Sequence, residues 1–199
     1  LVKLLLGYFA PTSGNIFLGD TPLQDYDMTS WRHSCGVVLQ DSHVFSESLA
    51  RNIAVEDKHI DRTRLRTAAR QANLEEFIEK LPLKYQTMVG AEGVGLSRGQ
   101  EQRIFIARAL YKDPSFVFLD EAINSLDANN ERIITGNLLD FCKGRTVLIV
   151  AHRLSTIRHA DKIVVLHKGR IVEEGTHDEL CARHGHYYEL INNQLIAMG

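Results

Sequence analysis

The sequence predicts an α/β fold with a parallel sheet, and three observations predict it. Gly36-Val37-Val38-Leu39, Phe116-Val117-Phe118-Leu119 and Thr146 to Ala151 are short apolar runs without polar alternation. Such runs suit strands covered on both faces, as in a parallel sheet. Each run ends at once in polar residues: Gln40, the pair Asp120-Glu121, and His152. Long stretches of helical periodicity separate the runs. Singly, a polar residue at a strand end has a plain explanation, because strands end where they surface. If the three strands are neighbours, their ends converge on one edge, where open α/β sheets place ligands.

In chain order, Leu1 to Tyr8 reads as helix ended by Gly7 and Pro11. Asn15 to Leu18 is a short strand before a Gly-Asp turn. The first buried strand then leads to Gln40. Ile60 to Leu81 reads as helix, with apolar residues at Leu65, Ala68, Ala69, Ala72, Phe77, Ile78 and Leu81, stopped by Pro82. Ser97-Arg98-Gly99 opens the next helix, whose first turn has free N–H groups and positive dipole character suited to a phosphate. That helix breaks at Asp113, because Pro114 disfavours helix in the residue before it. A further helix is expected from Ala128 to Cys142. Ile163–Leu166 and Arg170–Glu174 form a hairpin-like pair around Lys168-Gly169. Two helices close the chain, one entered at Thr176, where THDEL is a capping-box pattern, and one near His186.

A chain of 199 residues holds one good core. A formal charge of −2 gives no general drive toward nucleic acid or acidic membranes. Cys35, Cys142 and Cys181 are odd in number and lack metal-ligand spacing, which points to reduced thiols. No apolar run approaches the ~18–20 residues a membrane helix needs.

Two motifs carry a family resemblance. Leu96-Ser97-Arg98-Gly99-Gln100 resembles the LSGGQ signature of ATP-binding cassette (ABC) ATPases, and Phe116 to Glu121 resembles their Walker B strand. QDSHVFSESLARNI resembles the Q-loop, with Asp41-Ser42 where Pro or Glu is frequent. TMVGAEGVG resembles the loop before the signature in exporters, with Ala91 where Glu is usual and Glu92 beside it. AINSLD at 122–127 resembles the D-loop, with Ile123 and Asn124 for Thr and Ser. AHRLSTIRHAD resembles the switch segment. The resemblance implies a RecA-like P-loop NTPase core with a helical subdomain at about 40–112, across residues 1–199.

The resemblance also implies roles. The cofactors are ATP and Mg²⁺. Asp120 and Gln40 would hold Mg²⁺, Glu121 would be the base that positions water, and His152 would contact the γ-phosphate. Leu96, Ser97, Arg98, Gly99 and Gln100 would bind the γ-phosphate held by a second nucleotide-binding domain in a head-to-tail dimer, with Asp127 at its seam. No G-x-x-x-x-G-K-[ST] occurs in the sequence. The alignment therefore expects the chain to start just after the Walker A P-loop and to be inactive alone. The expected whole is an exporter coupling ATP hydrolysis to transport, with this part at the cytoplasmic face of the inner membrane, joined to a transmembrane domain and binding no nucleic acid. Its nearest resemblance is to bacterial peptide and bacteriocin exporters with a peptidase domain. The alternatives are a soluble ABC ATPase without transport and a non-catalytic remnant pairing with an intact cassette.

Overall fold

In the computed structural model, residues 1–151 and 157–198 are described, with backbone only for 194–198. The chain forms two compact units, Leu1–Leu148 and Ile149–Gly199.

The first unit opens with α1 (Val2–Leu5), then the two-residue strands β1 (Phe17–Leu18) and β2 (Thr21–Pro22), which pair antiparallel. Helix α2 (Met28–His33) starts at Asp27, whose carboxylate accepts the Ser30 N–H at 2.7 Å. Its Trp31 lies edge-on to Phe116 with ring centroids 4.9 Å apart and donates its indole N–H to the Leu5 carbonyl. That contact seats α1 and α2 on the sheet. The sheet has the order β3 (Cys35–Val38), β6 (Phe116–Asp120), β7 (Thr146–Val150). Strands β3 and β6 run parallel, as their unbroken apolar composition predicts, and Val38 faces Leu119 in the register. Gly36 is required there, since a Cβ would lie 2.5 Å from the Pro114 ring.

Between β3 and β6 the chain forms β4 (Glu47–Ser48), α3 (Leu49–Ile53), α4 (Arg62–Gln71), α5 (Glu75–Glu79), β5 (Met88–Val89) and α6 (Arg98–Lys112). Helix α6 is the central element of the unit, burying Ile104, Ile106, Ala107 and Leu110 against α3, α4 and β3. The single helix expected over Ile60 to Leu81 is instead two. Asn73 sits at φ 54°, the Asn73 N–H bonds to Arg70 O at 3.0 Å, and the Leu74 N–H reaches back to Ala69 O at 2.8 Å. This is a left-handed helix stop of the Schellman type, a conformation Asn tolerates better than most residues. Leu74 is fully buried beyond it, so apolar spacing continues across a break that periodicity alone does not reveal. Helix α7 (Ala128–Cys142) has the predicted bounds.

In the second unit, β8 (Ile163–His167) and β9 (Arg170–Gly175) form the expected antiparallel hairpin. Its two turn residues, Lys168 and Gly169, both have positive φ, as two-residue hairpin loops favour. Helix α8 (His177–Arg183) begins with the predicted capping box, Thr176 with Glu179, and α9 (His186–Met198) follows. Ile163, Val165, Leu180, Tyr187 and Ile191 make this unit's core.

Candidate functional site

The register of β3 and β6 builds the site. Val38 is level with Leu119, so two residues further along each chain Gln40 and Glu121 leave the sheet side by side. Gln40 Nε2 donates to Glu121 Oε2 at 3.2 Å. Asp120 is the last residue of β6 and half-buried. Glu121 then takes φ 53°, a left-handed conformation that costs a side-chain-bearing residue about 1–3 kcal/mol. The neighbouring turn holds it there. Asn124 Nδ2 donates to the same Oε2 at 3.0 Å, and the Asn124 N–H reaches the Glu121 carbonyl at 3.3 Å.

Lys3 extends from α1 to this edge. Its ammonium pairs with Asp41 at 2.6 Å, and its pKa is raised by the Asp41 hydrogen bond first, with a smaller contribution from Asp120. The same bond lowers the Asp41 pKa. Lys3 thus pairs with Asp41 beside Gln40.

The signature segment lies at the start of α6. Leu96 is half-buried, while Ser97 and Arg98 are exposed. Ser97 and Gln100 close a full capping box: the Ser97 N–H donates to Gln100 Oε1 at 2.8 Å and the Gln100 N–H to Ser97 Oγ at 3.3 Å. Those two bonds use the amides of Ser97 and Gln100, which leaves the amides of Arg98 and Gly99 as the donors for an anion at the helix start. A Cβ on Gly99 would stand 3.3 Å from the Ser125 carbonyl, so the helix start lies against the 121–126 turn of the same chain.

Asp127 caps α7, accepting the N–H groups of Asn129 and Asn130 at 3.1 and 3.0 Å. The Asn130 backbone bond is the chief reason its pKa is lowered. His152 lies outside the described residues.

Several residues of this neighbourhood were not singled out by sequence reasoning. Gln102 donates from Nε2 to the Glu121 carbonyl and accepts the Ser125 N–H on Oε1, both at 2.9 Å. Arg103 donates to Asn73 O at 2.6 Å, to Asn130 Oδ1 at 3.2 Å and to Gly99 O at 3.3 Å, and burial lowers its pKa. Asn73 Nδ2 meets Asn130 Oδ1 at 2.8 Å. No sequence signal set Gln102 and Arg103 apart, because the first turns of α6, Arg98 to Arg103, are polar apart from Gly99.

The arrangement can hold a nucleophilic water between a carboxylate and an anion, with hard oxygen donors beside it. No helix among the described residues is long and apolar enough to cross a membrane.

Comparison with known proteins places this geometry. The ABC transporter family profile matches residues 1–124. The ATP-dependent lipid A-core flippase of Chromohalobacter salexigens is 45% identical over 190 residues, covering 96% of this chain and 33% of that protein. The Toxin RTX-I translocation ATP-binding protein of Actinobacillus pleuropneumoniae is 44% identical over 182 residues, covering 92% of this chain and 26% of that protein. The chain thus spans a third or less of the length of these relatives. Among solved structures, a bacterial Atm1-family ABC exporter with ATP bound superposes with a TM-score of 0.93 at 36% identity, over 98% of this chain and 34% of that one. The mixed α/β fold with its parallel sheet is accordingly that of an exporter's nucleotide-binding domain. With the profile covering more than half of the sequence and the superposition nearly all of it, the chain belongs to the ABC transporter family.

Proposed function

We propose that the chain supplies the Walker B, signature and Q-loop parts of the ATP-hydrolysing site of an ABC exporter. The observation that carries this reading is the parallel pairing that sets Gln40 Nε2 3.2 Å from Glu121 Oε2, beside Asp120 at the carboxyl end of β6. In this reading Glu121 accepts a proton from the attacking water as its oxygen bonds to the γ-phosphorus. The bond from phosphorus to the departing ADP oxygen breaks, giving ADP and phosphate. Gln40 and Asn124 orient the Glu121 carboxylate, and His152 is proposed to contact the γ-phosphate.

The donor set suits Mg²⁺. Asp120 offers a carboxylate, and Gln40, with its amide nitrogen turned to Glu121, has its carbonyl oxygen as the remaining donor. Mg²⁺ binds through one or two protein oxygens, waters and nucleotide phosphates, and these two oxygens would be the protein's share. When bound it would neutralise charge on the phosphates.

The signature residues Leu96 to Gln100 are proposed to serve the nucleotide of a second cassette in a head-to-tail dimer, with Asp127 at the seam. Residues about 40–112 are proposed as the helical subdomain within 1–199. The whole protein is proposed to couple hydrolysis to export from the cytoplasmic face of a membrane, through a transmembrane domain joined to this one. The narrower cargo class, a peptide, rests on the sequence resemblance alone.

The test is Glu121→Gln in the full-length protein. The amide keeps the size and loses the basicity, so turnover should fall at least about 100-fold while nucleotide binding persists. Turnover near that of the unaltered protein would remove Glu121 from the role.

A further inference from the structure

We propose that Gln102 is a positioning residue: its amide clamps both ends of the 121–126 turn and so sets the orientation from which Glu121 acts. The inference rests on the ATPase reading above and adds a residue to it.

The geometry is specific to an amide. One end of the side chain donates to the Glu121 carbonyl and the other accepts the Ser125 N–H, each at 2.9 Å. Glutamate at this position would keep the acceptor and lose the donor. Leucine would fill similar space and do neither. The bond to the Glu121 carbonyl matters because Glu121 lies at φ 53°, and a residue in that region persists only where its surroundings hold it. Asn124 fixes the Glu121 side chain from within the turn, whereas Gln102 fixes the backbone from outside it.

Gln102 also ties two functional segments together. It lies three residues after Gly99, hence on the same face of α6, and Gly99 is itself pressed close to the Ser125 carbonyl. The signature end of α6 and the turn that starts at Glu121 are therefore one mechanical body in this chain. A shift of the signature would be felt at the chain's own Glu121 backbone through the hydrogen bond of Gln102. If the signature serves a second subunit's nucleotide, Gln102 links the two sites of the dimer.

The experiment compares Gln102→Leu and Gln102→Glu with the unaltered full-length protein. It reads kcat and KM for ATP, together with amide hydrogen exchange of the segment 121–127. For Gln102→Leu, kcat should fall about 10- to 100-fold, the scale of a misplaced catalytic group, with KM within about twofold. Exchange at 121–127 should accelerate while β6 and the middle of α6 keep their protection. An unchanged kcat alongside accelerated exchange would overturn the proposal, because the turn would then be free without consequence. Unchanged exchange would overturn it too. If Gln102→Leu loses protection throughout β6 and α6, Gln102→Glu decides. It keeps the bulk and the Ser125 bond, and it should show the same split between kcat and KM; an unaltered kcat there refutes the role. Glu121→Gln, run in parallel, separates the two ideas. If that variant turns over normally, the assignment of Glu121 fails, while the exchange result still reports whether Gln102 holds the turn.

Discussion

Asn52→Ala is expected to open the segment after Gln40, and the size of the effect can be worked from the bonds. Asn52 is fully buried on α3. Its Oδ1 accepts the Phe45 N–H at 2.8 Å, and its Nδ2 faces the carbonyls of Phe45, Ser48 and Glu47 at 2.9, 3.2 and 3.3 Å. An amide nitrogen has two hydrogens, so at most two of those three carbonyls are well served at once, and the side chain makes three good bonds besides a long one that Oδ1 accepts from Arg108 Nη2 at 3.5 Å. At about 1 kcal/mol net for each, truncation costs about 3 kcal/mol. Phe45 as a residue is 39% exposed, which limits the penalty for the groups orphaned there. About 3 kcal/mol is roughly a 100-fold rise in the local opening constant. Hydrogen exchange of the 43–53 segment in the full-length protein measures it, with α6 as internal reference. A change below about threefold in Asn52→Ala would refute this account of the loop.

Two further outcomes follow from the titrating groups. The Asp127 pKa is lowered from 3.8, so its cap on α7 is fully present above that value and is lost as pH falls through the folded pKa; the protection of the Asn129 and Asn130 amides, relative to their intrinsic exchange at each pH, should fall in acid, and Asp127→Asn, also a good cap, should flatten that dependence. Cys35 is 1% exposed and burial pushes its thiol up to about 11, so in the folded protein at pH 8 it should resist iodoacetamide while Cys181, half-buried, reacts first; peptide mass mapping of the labelled protein reads the order.

The fold was legible where one physical signal dominated. An unbroken apolar run marks a covered strand, and all three such runs became strands of one sheet, with β3 and β6 largely buried as expected but β7 exposed at Thr146 and only half-buried over Val147–Val150. Capping chemistry is equally local: Ser97 and Thr176 each need only a partner three residues on, and both boxes formed. The stretch from 60 to 81 failed because its break is written in a different code. Asn73 stops α4 through its backbone conformation, while Leu74 and Ile78 keep the apolar spacing going in α5. Periodicity reports which residues face the core, and two helices packed on one core share that property with a single longer one.

The site was legible only in part, for a related reason. Gln40, Asp120 and Glu121 lie at strand ends, where a polar residue after an apolar run stands out. Gln102 and Arg103 sit inside a helix, where polar residues are ordinary solvent-facing choices unless the turn they meet is known. Their partners are a backbone carbonyl at Glu121, an amide at Ser125, and carbonyls at Asn73 and Gly99. Backbone groups occur at every residue, so the identity of the partner leaves no mark in the sequence. What selects Gln at 102 is the need for a donor and an acceptor on one short arm, and what selects Asn at 73 is its tolerance of the left-handed conformation together with an amide that reaches Asn130. Arg103 then joins that helix stop to α7 and the signature helix. The residues proposed to carry the chemistry announce themselves by type, whereas those that hold them in place appear only once the chain has brought distant backbone atoms together.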